Sequence, residues 1–326
     1  SVLRLANPES RLSYMLLGDF QDGPAAVEPE DGGVTEAALS AVRALNEVWN
    51  GGFYYLHRQR AWNERAERYM GRERKRGALE SLNRALLDGV FPDELAAASD
   101  APETLRGRFA TVITLDADTS LPPGSALELA GMLQHPLNRP MTAQGRRRGC
   151  AVIQPRMEVC AGTVRTRIAS LWGGDGGFDP YVTAFSDVYQ NLCGEGSFAG
   201  KGVYDVAAFV AGTAGKIREN TVLSHDLLEG ALCGASLACD ISLYDSQPAS
   251  LRGWMRRQHR WTRGDWQLLP WLLPFVRGEN GWMRNPLSLL NQFKIYDNLR
   301  RSLVPAAAVL LIIAGTVSYT HLTLPT

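Results

Sequence analysis

The chain has 326 residues, of which 45% are hydrophobic, and 34 basic residues balance 34 acidic ones. This length supports one large α/β domain or two smaller ones, and the balanced charge argues against a general nucleic-acid binder. The five cysteines include no Cys-x-x-Cys pair, which indicates neither a zinc site nor a disulfide framework. Reduced thiols in a cytosolic domain are expected.

Strand and helix signals alternate along the chain. Strand patterns occupy residues 12–17, 53–56, 109–113 and 151–155, and helical patterns occupy residues 35–49, 72–87 and 125–133. This order predicts an α/β fold with a mostly parallel sheet between helices and ligands at the carboxyl ends of the strands. Asp19 and Asp118 would then share one edge of the sheet.

Two carboxylates, Asp116 and Asp118, stand one residue apart directly after the strand at 109–113. This spacing suits a divalent cation that carries a diphosphate and neutralises it as a leaving group. An isolated Asp-x-Asp is also typical of a solvated acidic turn. The neighbouring motifs must therefore decide between the two interpretations.

A basic run begins the helix at 72–87. Charge runs are usually solvated helix faces, but this one lies at a helix start between two strands that end in Asp. Lys75 and Arg76 are therefore candidates for holding a diphosphate, and Asn83 is a weaker one.

A glycine-rich stretch at 194–205 contains Gly200 and Lys201. Its glycines allow close approach to a phosphate or sugar, and Lys201 supplies a cation. Gly202 follows Lys201, so the spacing is not that of a nucleotide-triphosphatase loop. A tight turn with no ligand stays an alternative.

Asp226 begins a helix that Ser224 is expected to cap. A carboxylate in the first turn can simply complement the helix dipole, but it is also rigid enough to act as a general base for an acceptor hydroxyl. His225 is expected to be structural.

Arginines alternate with two indoles between residues 256 and 266. Trp faces bind sugar rings and arginines bind phosphate, which favours a carbohydrate or diphosphate contact. The alternative is a basic collar that faces a membrane. The candidates are Arg257, Arg260, Trp261 and Trp266.

The C-terminal part has membrane character. Residues 281–303 are expected to form an amphipathic interfacial helix and residues 304–316 the start of a transmembrane helix, although a buried core helix is the alternative. The flanking basic and aromatic side chains favour the membrane interpretation: Trp282, Phe293, Lys294, Tyr296, Arg300 and Arg301. Residues 317–326 resemble a translated sequencing adapter and are expected to be non-native.

In this order the motifs resemble inverting, processive glycosyltransferases of the cellulose-synthase kind. They are more similar to the glycosyltransferase domain of cyclic β-1,2-glucan synthases. Arg257, where the processive pattern has Gln, and His225, where Glu usually precedes the base, agree with the cyclic-glucan group. The resemblance covers nearly all of residues 3–314 and rests on residues 53–83, 114–140, 179–181, 186–206, 224–230 and 257–266.

The resemblance implies a GT-A fold, UDP-glucose as donor, Mg²⁺ or Mn²⁺ as cofactor and a β-1,2-glucan as acceptor and product. It also implies a bacterial inner-membrane enzyme in contact with lipid, whose transferase domain faces the cytoplasm, with further parts of the same chain upstream and downstream. No nucleic-acid partner is expected.

By the same resemblance, Asp226 is the catalytic base, Asp116 and Asp118 bind donor and metal, and Asp19 contacts the nucleobase or ribose. Arg260 and Trp261 hold diphosphate and acceptor. The remaining donor contacts are Lys75, Arg76, Lys201 and Arg257, and the remaining acceptor contacts are Gly200 and Trp266.

Three other functions stay open. A related membrane synthase could form a different polysaccharide, and product linkage would distinguish it. A nucleotide-sugar sensor would bind the donor without turnover. A membrane scaffold would have no donor site.

Overall fold

The computed structural model describes residues 2–143, 146–171, 187–222 and 226–323. The chain divides into two compact units. The first contains Ser1–Ala214 with His225–Ala249, and the second contains Gly215–Ser224 with Ser250–Thr326.

The first unit is a mixed α/β domain. Its helices are α1 (Val2–Ala6), α2 (Asp31–Trp49), α3 (Arg74–Asp88), α4 (Ser125–Gln134), α5 (Arg167–Leu171), α6 (Val188–Cys193), α7 (Val206–Thr213) and α8 (Asp226–Cys233). Its strands are β1 (Tyr14–Asp19), β2 (Phe53–Arg58), β3 (Ala61–Asn63), β4 (Arg68–Met70), β5 (Leu95–Ala98), β6 (Thr111–Thr114), β7 (Thr119–Ser120), β8 (Met141–Ala143), β9 (Arg146–Arg148), β10 (Val152–Val159), β11 (Gly202–Asp205) and β12 (Ala235–Asp245).

Two sheets organise this unit. A three-stranded sheet has the order β1-β2-β5, and a five-stranded sheet has the order β6-β11-β10-β12-β7. Strands β1 and β2 pair in parallel, as do β10 and β12, whereas the other neighbours in these sheets run antiparallel. The α/β class is confirmed, but the predicted mostly parallel sheet is wrong.

The sheet is mixed because β11 inserts between two strands that share a direction. β11 is antiparallel to both β6 and β10, and β10 is parallel to β12. Strands β6, β10 and β12 therefore run the same way, interrupted by β11. Contrary to the prediction from the sequence, Asp19 and Asp118 do not share one edge of a sheet. Asp19 ends a strand of the smaller sheet, while Asp118 follows a strand of the larger one.

The core explains why these segments form strands. Every residue of β2 is buried, which is typical of a strand covered on both faces. Leu56 of β2 packs in one cluster with Leu86 of α3, Val152 of β10 and Tyr204 of β11. This packing holds α3 against the strands beside which the candidate site lies.

The second unit contains α9 (Leu251–Gln267), β13 (Phe275–Gly278), β14 (Gly281–Arg284) and α10 (Leu289–Thr323). The predicted helix at 281–303 differs from this structure, because residues 281–284 pair with β13 as a hairpin. The helix begins at Leu289 and continues through Pro305 without the predicted division near residue 303.

The C-terminal helix has the length and composition of a membrane span. Within its 30-residue stretch Leu289–Ser318, a window of 18 residues has a mean hydropathy of 1.7, and the stretch is longer than the roughly 20 residues that cross a bilayer.

Candidate active site

Asp116 lies between two lysine ammonium groups from separate parts of the first unit. Lys75 Nζ donates to Asp116 Oδ1 and, at 2.7 Å, to the carbonyl oxygen of Gly200. Lys201 Nζ lies 3.2 Å from Asp116 Oδ2. Burial alone would raise the pKa of Asp116, but the two ammonium groups outweigh it and lower that pKa below the ordinary 3.8. The structure thus unites three of the predicted residues.

The local backbone directs Lys75 toward Asp116. Glu73 and Arg74, immediately before it, adopt left-handed conformations with φ of 52° and 51°, which are costly for residues with a side chain. The guanidinium of Arg58 stabilises this turn, since it donates to the carbonyl oxygens of Arg72 and Arg74, both at 2.9 Å.

Asp19 supports the same turn. Its carboxylate accepts two hydrogen bonds from Arg58, at 2.7 and 2.6 Å, and Arg58 also pairs with Asp93 at 2.7 Å. The side chain of Arg58 is only 1% exposed. Asp19 therefore binds Arg58, the residue that stabilises the turn at the start of α3. The predicted contact of Asp19 with the nucleobase or ribose stays a prediction.

Asp118 is an exposed carboxylate on the short loop between β6 and β7. Among the residues that the structure describes, no group of three or more His, Cys, Asp and Glu side chains is arranged to hold a metal. However, Mg²⁺ is commonly held by only one or two carboxylates together with substrate phosphates and water. Asp118 and Asp116 are two carboxylates of this kind, but both oxygens of Asp116 face lysines, and a metal at this loop stays a prediction.

Lys201 is held by a residue that sequence reasoning missed. Its ammonium pairs with Asp245 at the end of β12, and Asp245 Oδ1 accepts a hydrogen bond from Thr119 Oγ1 at 2.6 Å. Asp245 is 3% exposed. Thr119 and Asp245 lie opposite each other where β7 pairs with β12, so this pairing fixes both the end of the Asp116–Asp118 loop and Lys201. No local motif marks Asp245.

Asp226, the predicted base, is a partly buried carboxylate in the first turn of α8. Gly200 lies directly against it, because a Cβ on Gly200 would be 2.6 Å from Asp226 Oδ1. Burial raises the pKa of Asp226 above 3.8, with Lys75 and Lys201 opposing the rise and Asp116 adding to it. Ser224 and His225, the predicted cap and its neighbour, lie outside the described residues.

Glu229 lies one turn after Asp226 and was also missed from the sequence. It is 5% exposed, and burial, with the charge of Asp226, raises its pKa to about 8. Its position three residues after Asp226 gives it the same helix face. With this pKa, Glu229 is mostly protonated at pH 7 and adds little negative charge beside Asp226.

Two predicted donor contacts have partners inside the fold. Arg76 pairs with Glu73 at 2.7 Å, and its side chain is 9% exposed. Asn83 is buried, and its Oδ1 accepts a hydrogen bond from the hydroxyl of Tyr204 at 2.9 Å. Arg76 therefore binds the residue directly before α3, and Asn83 binds a residue of β11.

The remaining predicted residues lie on α9 in the second unit. The guanidinium carbon of Arg257 is 4.9 Å from the ring centroid of Trp261, which is a cation–π contact. Arg260 is exposed. The indole N–H of Trp266 donates to Ser302 Oγ of α10 at 3.0 Å. Their predicted donor and acceptor contacts stay predictions.

No family model matches the chain. The chain is 41% identical over 312 residues to a glucan-forming enzyme, in an alignment that covers 93% of this chain. That relative is the cyclic β-(1,2)-glucan synthase NdvB of Rhizobium meliloti (strain 1021), and the alignment spans 11% of its length. The resemblance seen in the motifs is confirmed: the chain is homologous to one segment of a cyclic glucan synthase.

Proposed function

We propose that the chain is an inverting glucosyltransferase domain that uses UDP-glucose to build a β-1,2-glucan. The similarity to a cyclic β-(1,2)-glucan synthase supports the reaction class and the product. The observation that carries the proposal is the position of Asp226, a helix-start carboxylate that lies against Gly200 and in the field of Lys75 and Lys201.

Asp226 is the general base of the proposed reaction. Its carboxylate removes the proton from the 2-hydroxyl at the non-reducing end of the acceptor as that oxygen attacks C1 of glucose. The new C1–O bond forms on the face opposite UDP while the bond to the diphosphate oxygen breaks, so the anomeric centre inverts from α to β. A carboxylate with a raised pKa is a stronger base than an ordinary aspartate, which suits this role.

The lysines stabilise the departing UDP. Lys75 and Lys201 both reach Asp116 from elements of the first unit, and their ammonium groups can attract a diphosphate that binds beside this carboxylate. Mg²⁺ or Mn²⁺, when bound, would neutralise charge on the diphosphate, and Asp116 and Asp118 are the residues that would hold it. Arg260 and Trp261 are proposed to contact diphosphate and acceptor.

We place the enzyme in a bacterial inner membrane with the transferase domain toward the cytoplasm. The apolar stretch of α10 supports membrane attachment. Lys294, Arg300 and Arg301 in the first part of that helix support a cytoplasmic start, because basic residues are enriched on that side.

Substitution of the base tests this proposal. Asp226→Asn keeps the shape of the side chain but cannot accept the proton, so transfer should fall by about 100-fold or more while UDP-glucose binding stays close to wild type. Donor affinity and radiolabelled glucan should be measured on the same preparations. The control is Asp240→Asn, at an exposed position on β12. Lost donor binding with residual transfer would contradict the assigned role.

A further inference from the structure

The hairpin of β13 and β14 has one buried and one exposed face. Phe275 pairs with Arg284 and Arg277 pairs with Trp282, and alternate residues of a strand point to the same side. These four residues form what we call the hairpin face. Phe275 and Trp282 are 60% and 74% exposed, whereas Val276, on the opposite side, is 2% exposed.

The composition of the hairpin face is unusual for a surface in water. Two large aromatic side chains expose most of their area, and both arginines beside them are exposed as well. Two large aromatic side chains exposed on one face of a hairpin favour a binding surface. Aromatic rings and arginines together are typical of the boundary between lipid headgroups and acyl chains.

The hairpin face is fixed to the beginning of the apolar helix. Residues 285–288 alone separate β14 from α10. The side-chain amide of Asn285 donates to the carbonyl oxygens of Trp271 and Leu273 at 2.6 and 2.9 Å, and Leu287 is buried. These contacts order the short connection between the hairpin and the helix start.

The first turns of α10 expose an apolar stripe, while their buried side mixes polar residues with the apolar Ile295 and Leu299. Asn291, Lys294 and Asn298 are all 6% exposed or less. Leu289, Phe293 and Tyr296 are all more than half exposed, and their spacing of four and three residues places them in one stripe. An exposed apolar stripe of this kind suits an apolar surrounding.

We propose that the hairpin face docks on a bilayer rich in anionic lipid. Phe275 and Trp282 insert at the acyl boundary, and Arg277 and Arg284 bind lipid phosphate. The positive charges of the two arginines complement anionic headgroups, and this favours a lipid surface as the binding partner. The inference rests on the membrane attachment proposed above and adds a second contact, outside the apolar span, that depends on lipid charge.

Site-specific photocrosslinking of the full-length protein in vesicles tests this contact. A benzophenone amino acid replaces Trp282 in one variant and Leu311 of the apolar stretch in a second. A third variant carries it at Trp62, a 53% exposed tryptophan of the first unit. Adducts with tritiated lipid are measured in phosphatidylcholine vesicles with and without phosphatidylglycerol.

We expect lipid adducts at positions 282 and 311 and only background at position 62. Phosphatidylglycerol should increase the adduct at position 282 about fivefold, because two arginines gain attraction to the charged surface. The adduct at position 311, in the apolar span, should change little.

Three other crosslinking results would each contradict a different part of the proposal. Lipid adducts at 311 with only protein adducts at 282 would overturn the proposal in favour of a protein partner or another part of the same chain, while membrane attachment stands. Background at both positions would overturn membrane attachment as well. Equal adducts at 282 with and without phosphatidylglycerol would refute the role of lipid charge.

A further variant tests the role of the two arginines. Arg277→Gln with Arg284→Gln, combined with the benzophenone at position 282, should abolish the fivefold effect of phosphatidylglycerol. The matched control, Arg11→Gln with Arg139→Gln, changes two exposed arginines of the first unit and should retain it. Retention of the effect in the Arg277 and Arg284 variant would contradict phosphate binding by these side chains.

Discussion

At the scale of single residues, Gly200 connects the glycine-rich loop to the candidate base. Its φ is +81°, and a Cβ there would lie 2.6 Å from Asp226 Oδ1. Gly194, in the same loop, has a φ of +73°, and among the described residues no atom lies within 4 Å of where its Cβ would stand. The two glycines therefore have the same backbone requirement, but only Gly200 faces the carboxylate.

Gly200→Ala should inactivate the enzyme far more than Gly194→Ala. Both substitutions should cost about 1–2 kcal/mol of stability, because alanine is strained in the left-handed region. Only the first displaces Asp226, and transfer should fall by about 100-fold. Steady-state kinetics and urea unfolding on both variants separate the effects. Equal activity in the two variants would contradict the proposed contact.

Glu229 makes stability depend on pH. Its pKa is about 8 in the folded chain against an ordinary 4.5, so between these values the unfolded state loses the proton while the folded state keeps it. Stability must then fall as pH rises from about 5 toward 8. Glu229→Gln removes this ionisation and should flatten the dependence of the unfolding midpoint on pH.

Thermal unfolding from pH 5 to 8 checks this prediction. Glu128→Gln is the control, since Glu128 is an exposed residue of α4 and its replacement should keep the wild-type slope. A slope that Glu229→Gln leaves unchanged would show that the buried carboxyl is not the group responsible.

At the scale of elements, Arg58 connects β1, β2 and α3. It is nearly inaccessible, it pairs with Asp19 and Asp93, and it binds two carbonyl oxygens in the turn before Lys75. One side chain thus sets the direction from which Lys75 approaches Asp116.

Arg58→Met should cost about 3–5 kcal/mol of unfolding free energy, because it leaves two carboxylates without their buried partner. The expected cost for Arg11→Met is below about 1 kcal/mol, because the side chain of Arg11 is 81% exposed in its pair with Glu9. Urea denaturation measures both. A small cost at Arg58 would mean that the turn does not depend on this network.

Sequence patterns predicted the local elements well and their pairing poorly. The helical pattern at 72–87 appears as Arg74–Asp88, and the pattern at 125–133 appears as Ser125–Gln134, because helix periodicity is a local property. The direction of β11 depends on partners more than 45 residues away. No local signal contains that information.

The residues of the candidate site were likewise predictable only where they belong to a local sequence motif. Asp116, Lys75, Lys201 and Asp226 stood out because each belongs to a motif, and the structure brings the first three into contact. Asp245 was missed because its partner Thr119 is 126 positions away along the chain. Such a pair becomes visible only when β7 and β12 are seen to lie side by side.

At the scale of the whole molecule, the mixed α/β unit contains the proposed base and the Asp116–Asp118 loop, and the second unit contains Arg260, Trp261 and the apolar helix. The chain spans 11% of the length of its curated relative. The proposal for this chain concerns the transfer of one glucose.

The most direct test supplies labelled UDP-glucose and Mg²⁺ or Mn²⁺ to membranes that contain the full-length protein, followed by linkage analysis of the glucan. We expect a β-1,2-linked product that disappears with Asp226→Asn. A product with another linkage would move the assignment to a related synthase, and donor binding with no glucan would contradict the proposed transferase and favour a sensor.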